Sequence, residues 1–545
     1  MIEHAGRILK GAILLSGGGL SGVLGIAYAT DDGTRRAVRL WTSIGPVIAH
    51  YRIVEFKQKL LKQSSHSLVV KSEWNKLHHK YSDHVLKTIQ GLGGFYIKIG
   101  QVLASRKDLM PKLYIEKFRT LEDQVPHSTS PKTIQKILKT SLGVSNLEDI
   151  FEGLCVECPL GTASIGQVFR ARLKENLTAE VAIKVQLPGV EHLFRSDIKT
   201  VKAFCKVLAP EQVPVFDEIE RQFMTEFDYR KEARHLAQIH KNMKKFKEVV
   251  VPRPWLKYCT KEVLVMDYLP GPKLIDGIRI QGRKWATEQG INFEEFEKEI
   301  MAKYEKEGLP PAYNAPNAHL LSIYRRFSII EESFLNSSLL VYNVLVHLIK
   351  VISLGFISIP SLPYYDFFIP FNSAQIMDIL LNVHGHQILV DGCFNADPHG
   401  GNFLLLPDGR IGLIDYGQVK CYTKKERLEM AKIIAAMYKN DQKHIPNMVI
   451  ANGYKSRYSN PDVIRKMIVV VLDRDGRDVT DGVNVQEFMD KMYALDPWEK
   501  TGDLFIMPSR VSFLLRSIGL MMNNPVSVLQ TWGPIAEKVL QSERV

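Results

Sequence analysis

The side chains best suited to chemistry crowd into residues 395 to 417. Asn395-Ala-Asp397-Pro-His-Gly-Gly-Asn402 sets a carboxylate and an amide with four residues between them, and Asp415-Tyr-Gly417 follows an apolar stretch, Phe403 to Ile414, broken at Asp408-Gly409. Two apolar runs around an Asp-Gly pair predict a tight hairpin. Such a hairpin returns Asp415 to the side of Asn402. There a carboxylate and an amide carbonyl, both hard oxygen donors, can hold Mg²⁺ against phosphate oxygens. Asp397 then faces a substrate hydroxyl or a water, as a base or as the group that orients it.

A phosphate-bearing partner needs a cradle. Gly161-Thr162-Ala163-Ser164-Ile165-Gly166-Gln167-Val168 has the spacing of one, with alanine where a second glycine usually stands. Glycine lets backbone N–H groups approach an anion closely, and alanine at 163 stiffens the loop. Alone, such a stretch is as readily a surface turn. Sixteen residues past Val168 the run Val181-Ala-Ile ends in Lys184. A lysine there ordinarily snorkels, yet the spacing also suits an ammonium on the α and β phosphates of a nucleotide. Glu226-Phe-Asp228-Tyr-Arg-Lys-Glu232 lies in a helical pattern from Phe216 to Val249, which puts Asp228 and Glu232 on one face with Lys184 as the cation between them. Glu232 would clamp Lys184; the plainer reading pairs these acids with Arg230 and Lys231 in solvent. Val263 to Asp267 reads as a buried strand, so that Met266 and Tyr268 border the place where adenine would sit. Gly-rich loop, strand lysine, helix glutamate, D-x-x-x-x-N and D-[FY]-G stand in the order found in protein kinases.

Those residues need a frame. The chain has 545 residues, 45% apolar and 24% charged, which suits a large core and more than one structural unit and excludes wholesale disorder, collagen and a polytopic membrane protein. Helical spacing dominates Tyr51 to Leu142. Within it Gly93-Gly-Phe-Tyr-Ile-Lys98-Ile-Gly-Gln101 puts Lys98 and Gln101 on one helix face, a polar pair that by itself usually just meets solvent. Six scattered cysteines predict reduced thiols, and Cys155-Val-Glu-Cys158 lacks the second pair that a zinc site needs. The excess of 71 basic over 59 acidic residues is spread along the chain, with no zinc-finger spacing and no dense Lys/Arg block. That argues against nucleic acid and for an anionic membrane surface.

Two apolar stretches bear on the membrane. Gly11 to Thr30 has no charge over twenty residues, and its length and flanks fit a membrane anchor, a cleaved targeting segment or a buried Gly-rich hairpin. Tyr268 and Asp397 are separated by far more chain than a hinge and one helix require, so an insert is expected from about Trp285 to Asn372. Its second part, Phe334 to Pro370, is apolar and fits a re-entrant or interfacial membrane element or an extra core helix. After Gly417 helical spacing soon resumes, without a long activation segment or A-P-E, so the platform that grips a peptide substrate is missing.

These motifs resemble the UbiB, or aarF-domain-containing, atypical kinases, the mitochondrial branch in particular. The group's marks are the Ala-bearing loop (Gly161 to Val168), K-x-G-Q (Lys98 to Gln101), E-x-D (Glu226 to Asp228), N-x-D-P-x-x-x-N (Asn395 to Asn402) and D-[FY]-G (Asp415 to Gly417). Asn395 stands where ordinary kinases carry histidine, a change the group shares. The resemblance implies an α+β, two-lobed protein-kinase-like fold with a helical N-terminal extension and a largely helical insert in the C-lobe. The expected parts are an anchor or targeting segment (1–50), the extension (51–150), an N-lobe (151–270) and a C-lobe (271–545, insert 285–372). It also implies ATP and Mg²⁺ as cofactors and a role in coenzyme Q or lipid homeostasis at the inner mitochondrial membrane. In that group Lys98, Gln101, Glu226 and Asp228 lie over the pocket where a protein substrate would dock. The expected activity is ATP hydrolysis or phosphate transfer to a small or lipid substrate, with Asp397, Lys184 and Glu232 catalytic and Asn402 and Asp415 on the metal; a nucleotide-sensing scaffold is the alternative. The sequence names no protein partner.

Overall fold

The computed structural model describes residues 31–61, 68–105, 111–121, 129–162, 165–208, 220, 223–224, 226–312, 317–357, 359–365 and 372–543. The apolar run Gly11 to Thr30 and loop residues Ala163 and Ser164 lie outside them. The chain divides into two compact units: one reaches Ala233 and takes in Pro254–Tyr268, the other comprises Arg234–Arg253 and everything from Leu269.

The first unit is built on a five-stranded antiparallel sheet of β1 (Phe151–Glu152), β2 (Gly161–Thr162), β3 (Gly166–Leu173), β4 (Asn176–Gln186) and β6 (Val263–Asp267). It runs in the order β1-β3-β4-β6, with β2 also paired to β3. Side chains alternate across a strand. Phe169, Ala171, Val181, Ile183, Val185, Val263 and Val265 therefore pack on one face, over Ile134 and Leu138 of α5 (Pro131–Leu142). Each such large side chain contributes about 1.5–3 kcal/mol by leaving water. The register sets Lys184 between Val168 and Leu264, and Ala182 beside Met266, so these residues share the opposite face. Helix α5 carries its own boundaries: Ser130 accepts from Thr133 N–H, Pro131 opens the first turn, and Gly143 takes the left-handed φ of 68° at its end.

The helical extension comprises α1 (Asp32–Leu60), α2 (Leu68–Leu92), α3 (Phe95–Ser105) and α4 (Lys112–Arg119). Residues 32–50, grouped by sequence with the N-terminal segment, continue into 51–60 as one helix. Asp31 caps it, and Gly33 is needed because a Cβ there would collide with Ser196 Oγ of α6 (Val190–Leu208). Arg36 then reaches the buried Asp197 of α6 at 2.6 Å. Burial pushes the Asp197 carboxyl up while the Arg36 guanidinium opposes it. Within the helical pattern read from Phe216 to Val249, α7 spans Tyr229–Met243.

In the second unit β5 (Val249–Val250) runs parallel to β9 (Ile411–Leu413), which pairs antiparallel with β8 (Phe403–Leu405). The hairpin read at Asp408-Gly409 is present, with Gly409 at φ 86° and Leu406 N–H bonded to Arg410 O. β7 (Cys393–Asn395) pairs antiparallel with β10 (Val419–Cys421). Helices α8 (Leu274–Glu288), α9 (Phe293–Glu307), α10 (Ala318–Ile352), α11 (Ser373–His386), α12 (Lys424–Tyr438), α13 (Ile445–Ala451), α14 (Pro461–Leu472), α15 (Val485–Leu495), α16 (Asp503–Met521) and α17 (Val528–Ser542) complete the unit. Trp532 of α17 is fully buried and donates to Leu381 O of α11.

One cysteine expectation is corrected. Cys155, Cys158 and Cys259 are free, but Cys393 and Cys421 face each other across the β7–β10 ladder and are joined in a disulfide. Register brings together two residues that spacing along the chain had left apart.

Candidate active site

Lys184 meets Glu232 from the first turn of α7: Nζ donates to Oε1 at 2.9 Å and Oε2 at 3.1 Å. Both side chains are nearly buried, and the ammonium also lies over the Tyr229 ring. A carboxylate in a helix's first turn is favoured by the helix dipole. The clamp read for Glu232 is therefore made. Asp228 does not share its helix face: it precedes α7, accepts from Arg230 N–H, and pairs with the Arg230 guanidinium at 2.8 Å, which holds its carboxyl below the usual range. The solvent-side pairing considered for this acid is the one formed, because the helix starts only at Tyr229.

Of the loop residues, Gly161 and Thr162 form β2 and pair with Val168 and Gln167. A Cβ at Gly161 would meet open space, whereas one at Gly166 would meet Tyr229 Oη at 2.6 Å and Val185 O at 2.9 Å. Packing thus explains the glycine at 166, and of the two loop glycines 161 leaves room for close approach by a ligand. Ile165 is buried and bonds through its carbonyl to Leu187 N–H. Tyr268 directly follows β6, with its N–H on Glu180 O and Arg170 stacked on its ring.

Lys98, on α3, lies 3.4 Å from Glu226 and over the ring of Phe223. A Cβ at Gly100 would meet the end of the Leu121 side chain, which would have to shift. Gln101 follows on the same helix, where its side chain is outside the described residues.

In the second unit one buried amide joins the two predicted loops. Asn395 Oδ1 accepts from Asp397 N–H at 2.8 Å while its Nδ2 donates to Asp415 O at 2.7 Å. Asn402 Nδ2 donates to Asp397 O at 3.0 Å, and Ile414 N–H bonds to Asn402 O, so the hairpin does return Asp415 beside Asn402. Gly417 N–H bonds Asp415 Oδ1 and fixes that carboxylate's rotation. From Gly417 the chain passes straight into β10 and α12. Arg510 of α16 was not foreseen. Its Nη2 donates to Asp397 Oδ1 at 2.7 Å and its Nη1 to Gln418 Oε1 at 2.7 Å. No motif spacing could have found it, since 113 positions separate it from Asp397.

The donor set fits Mg²⁺. With Nδ2 committed to Asp397 O, the Asn402 carbonyl oxygen is the atom available to a cation, and Asp415 adds a carboxylate. Among the described residues no group of three or more His, Cys, Asp or Glu that could hold a metal ion is found.

Sheet, clamped lysine and paired Asp397/Asp415 loops define the protein-kinase-like class. Residues 120–309 and 368–449 match the ABC1 atypical kinase-like domain. The chain belongs to this ABC1/aarF family of atypical kinases, with an α+β fold that is mostly helical. It is 34% identical over 213 residues to AarF domain-containing kinase 1 of Drosophila melanogaster, covering 38% of this chain and 40% of that one. It is 37% identical over 198 residues to the chloroplastic activity of bc1 complex kinase 8 of Arabidopsis thaliana, covering 34% and 25%. A UbiB protein of Tolumonas auensis is 32% identical over 213 residues, covering 37% and 38%. The chain thus spans well under half the length of these relatives.

Proposed function

We propose that this chain binds Mg-ATP and hydrolyses it or transfers its γ-phosphate to a small or lipid substrate at a membrane. The observation that carries this reading is the Asn395 bridge, which fastens the backbone of the candidate base Asp397 to that of the candidate metal ligand Asp415. Lys184, held by Glu232, binds the α and β phosphates; Gly161 to Val168 cover them; Met266 and Tyr268 border adenine. Asn402 and Asp415 hold the metal, which when bound neutralises charge on the transferring phosphate. Asp397 orients or deprotonates the acceptor. The direct run from Gly417 into β10 supports a small or lipidic acceptor over a peptide, because it leaves no long segment to grip an extended chain. By resemblance, Lys98, Gln101, Glu226 and Asp228 would lie over the pocket where a protein substrate docks. By resemblance the setting is coenzyme Q or lipid homeostasis at the inner mitochondrial membrane; chloroplastic and bacterial relatives make a plastid or other membrane the alternative.

A nucleotide-sensing scaffold is favoured by one observation, the ion pair that Arg510 makes with the candidate base Asp397. Full-length protein given Mg-ATP and vesicles of phosphatidylcholine with an anionic phospholipid separates the readings. Phosphate release or a phosphorylated lipid above the level of Asp397→Asn supports the enzyme; equality between the two proteins supports the scaffold.

A further inference from the structure

The family domain skips residues 310–367, and that stretch holds an unusual surface. Among the described residues two helices are long and apolar enough to cross a membrane, α10 and α16. Their surroundings differ: half of the most apolar stretch of α16 is buried in the fold, against 6% for α10. Leu340, Val341, Val344, Leu345, Leu348 and Ile352 of α10 are all exposed. By helical phase they sweep an arc of about 140°, wider than the narrow seam a single partner helix covers.

Past Ile352 the chain turns back. Leu354 and Gly355 take positive φ, Gly355 N–H closes on Lys350 O, and the tip side chains Leu354 and Phe356 are 86% and 92% exposed. Residues 359–365 then run along α10, and two asparagines hold them there. Asn343 accepts from Leu362 N–H at 2.8 Å and donates to Leu362 O at 2.9 Å. Asn336 does the same for Tyr365, at 2.7 Å and 2.9 Å. Tyr342 Oη adds a bond to Pro360 O, and Pro360 and Pro363 have no N–H to satisfy. In water an exposed extended segment needs no such help, because solvent satisfies its backbone; in hydrocarbon, unpaired N–H and C=O groups cost several kcal/mol each.

Charge follows the same axis. Between Glu332 and Lys350 no Asp, Glu, Lys or Arg occurs. That span rises about 27 Å, close to a hydrocarbon core of about 30 Å. Lys350 near the tip can snorkel to the far headgroups, while Tyr364 and Tyr365, level with Asn336, take the interfacial place favoured by tyrosine.

We propose that the arm Ser333–Ile352 of α10 and its returning arm 359–365 enter a lipid bilayer as a hairpin, tip first, with the Asn336 and Asn343 clamps replacing water on the returning backbone. This deepens the membrane part of the function proposed above and rests on it only there. Nucleotide binding, measured on the same samples, reports on the remainder separately.

The test is tryptophan quenching in the full chain with Phe356→Trp, in vesicles of phosphatidylcholine and phosphatidylglycerol carrying bromine deep in the acyl chains. The unsubstituted protein, with its 6 tryptophans, gives the background. The expected result is quenching of the added tryptophan, and loss of most of it when Leu345→Asp and Leu348→Asp are added, since a charge at membrane depth lowers insertion by about tenfold or more. Both leucines are exposed, so unchanged nucleotide binding by that variant confirms that it folds. Vesicle flotation without quenching overturns the proposal, because another segment then holds the membrane. A concentration-dependent blue shift of the added tryptophan without vesicles also overturns it, in favour of a second copy of the chain.

Discussion

The Arg510 guanidinium lies 2.7 Å from Asp397 Oδ1 and, through its other arm, 2.7 Å from Gln418 Oε1. A helix remote in sequence therefore orients the candidate base and grips the residue that follows Asp415-Tyr-Gly417. The candidate catalytic loop, Asp397-Pro-His-Gly-Gly-Asn402, carries no lysine or arginine, so this cation reaches it from outside.

Arg510→Ala is expected to lower phosphate turnover by about tenfold or more, the scale of losing a positioned acid–base group, while nucleotide affinity stays within about threefold. Arg510→Lys, which cannot hold both partners in one plane, should recover only part of it. Paired phosphate-release and calorimetric titrations check this. Equal losses in binding and turnover would instead assign Arg510 to the nucleotide pocket.

Asn395→Ala removes a buried amide that serves both loops and leaves Asp397 N–H and Asp415 O without it. The stability loss should be about 1–3 kcal/mol, and turnover should fall about a hundredfold as the loops drift apart. A raised Mg²⁺ requirement is the accompanying sign. Denaturant melts and Mg²⁺ titrations report both, and an unchanged metal dependence would count against the bridge.

Lys184 and Glu232 are nearly buried together. Glu232→Ala strands an ammonium and should destabilise the protein by about 3 kcal/mol, whereas the double change Lys184→Met with Glu232→Leu should cost much less. Nucleotide affinity should fall in both. Comparing unfolding midpoints with nucleotide titrations separates the structural cost from the functional one.

His384 of α11 is fully buried, gives Nδ1–H to Leu380 O and packs on Phe403 of β8. Burial pulls its pKa down to about 4, and His386 moves the same way. The unfolded chain therefore binds more protons than the folded one between about pH 6.5 and 4, so stability falls as pH drops through that window, by up to about 1.4 kcal/mol per unit for each histidine. His384→Asn should flatten part of the slope of the unfolding midpoint against pH. An identical slope would mean that other groups govern acid unfolding.

Legibility followed distance along the chain. The hairpin, the strand that carries Lys184 and the Asp397, Asn402 and Asp415 cluster were readable because apolar alternation, an Asp-Gly turn and short spacings are local properties. Glu232 was readable as a partner for Lys184, yet its companion Asp228 was not: which carboxylate faces the lysine depends on where α7 begins, and it begins at Tyr229, just past Asp228. Gly166 looked like a phosphate-loop glycine and proves to be forced by its contact with Val185 and Tyr229.

The amino-acid sequence by itself determined the elements and the local chemistry: which strands alternate, where the chain turns, and which carboxylates and amides travel together. Tertiary structure decided the rest, because a side chain's partner is chosen by register and helix crossing rather than by spacing. It brought Arg510 to Asp397, joined Cys393 to Cys421 across a ladder, and folded 359–365 back onto Asn336 and Asn343, leaving an apolar hairpin uncovered.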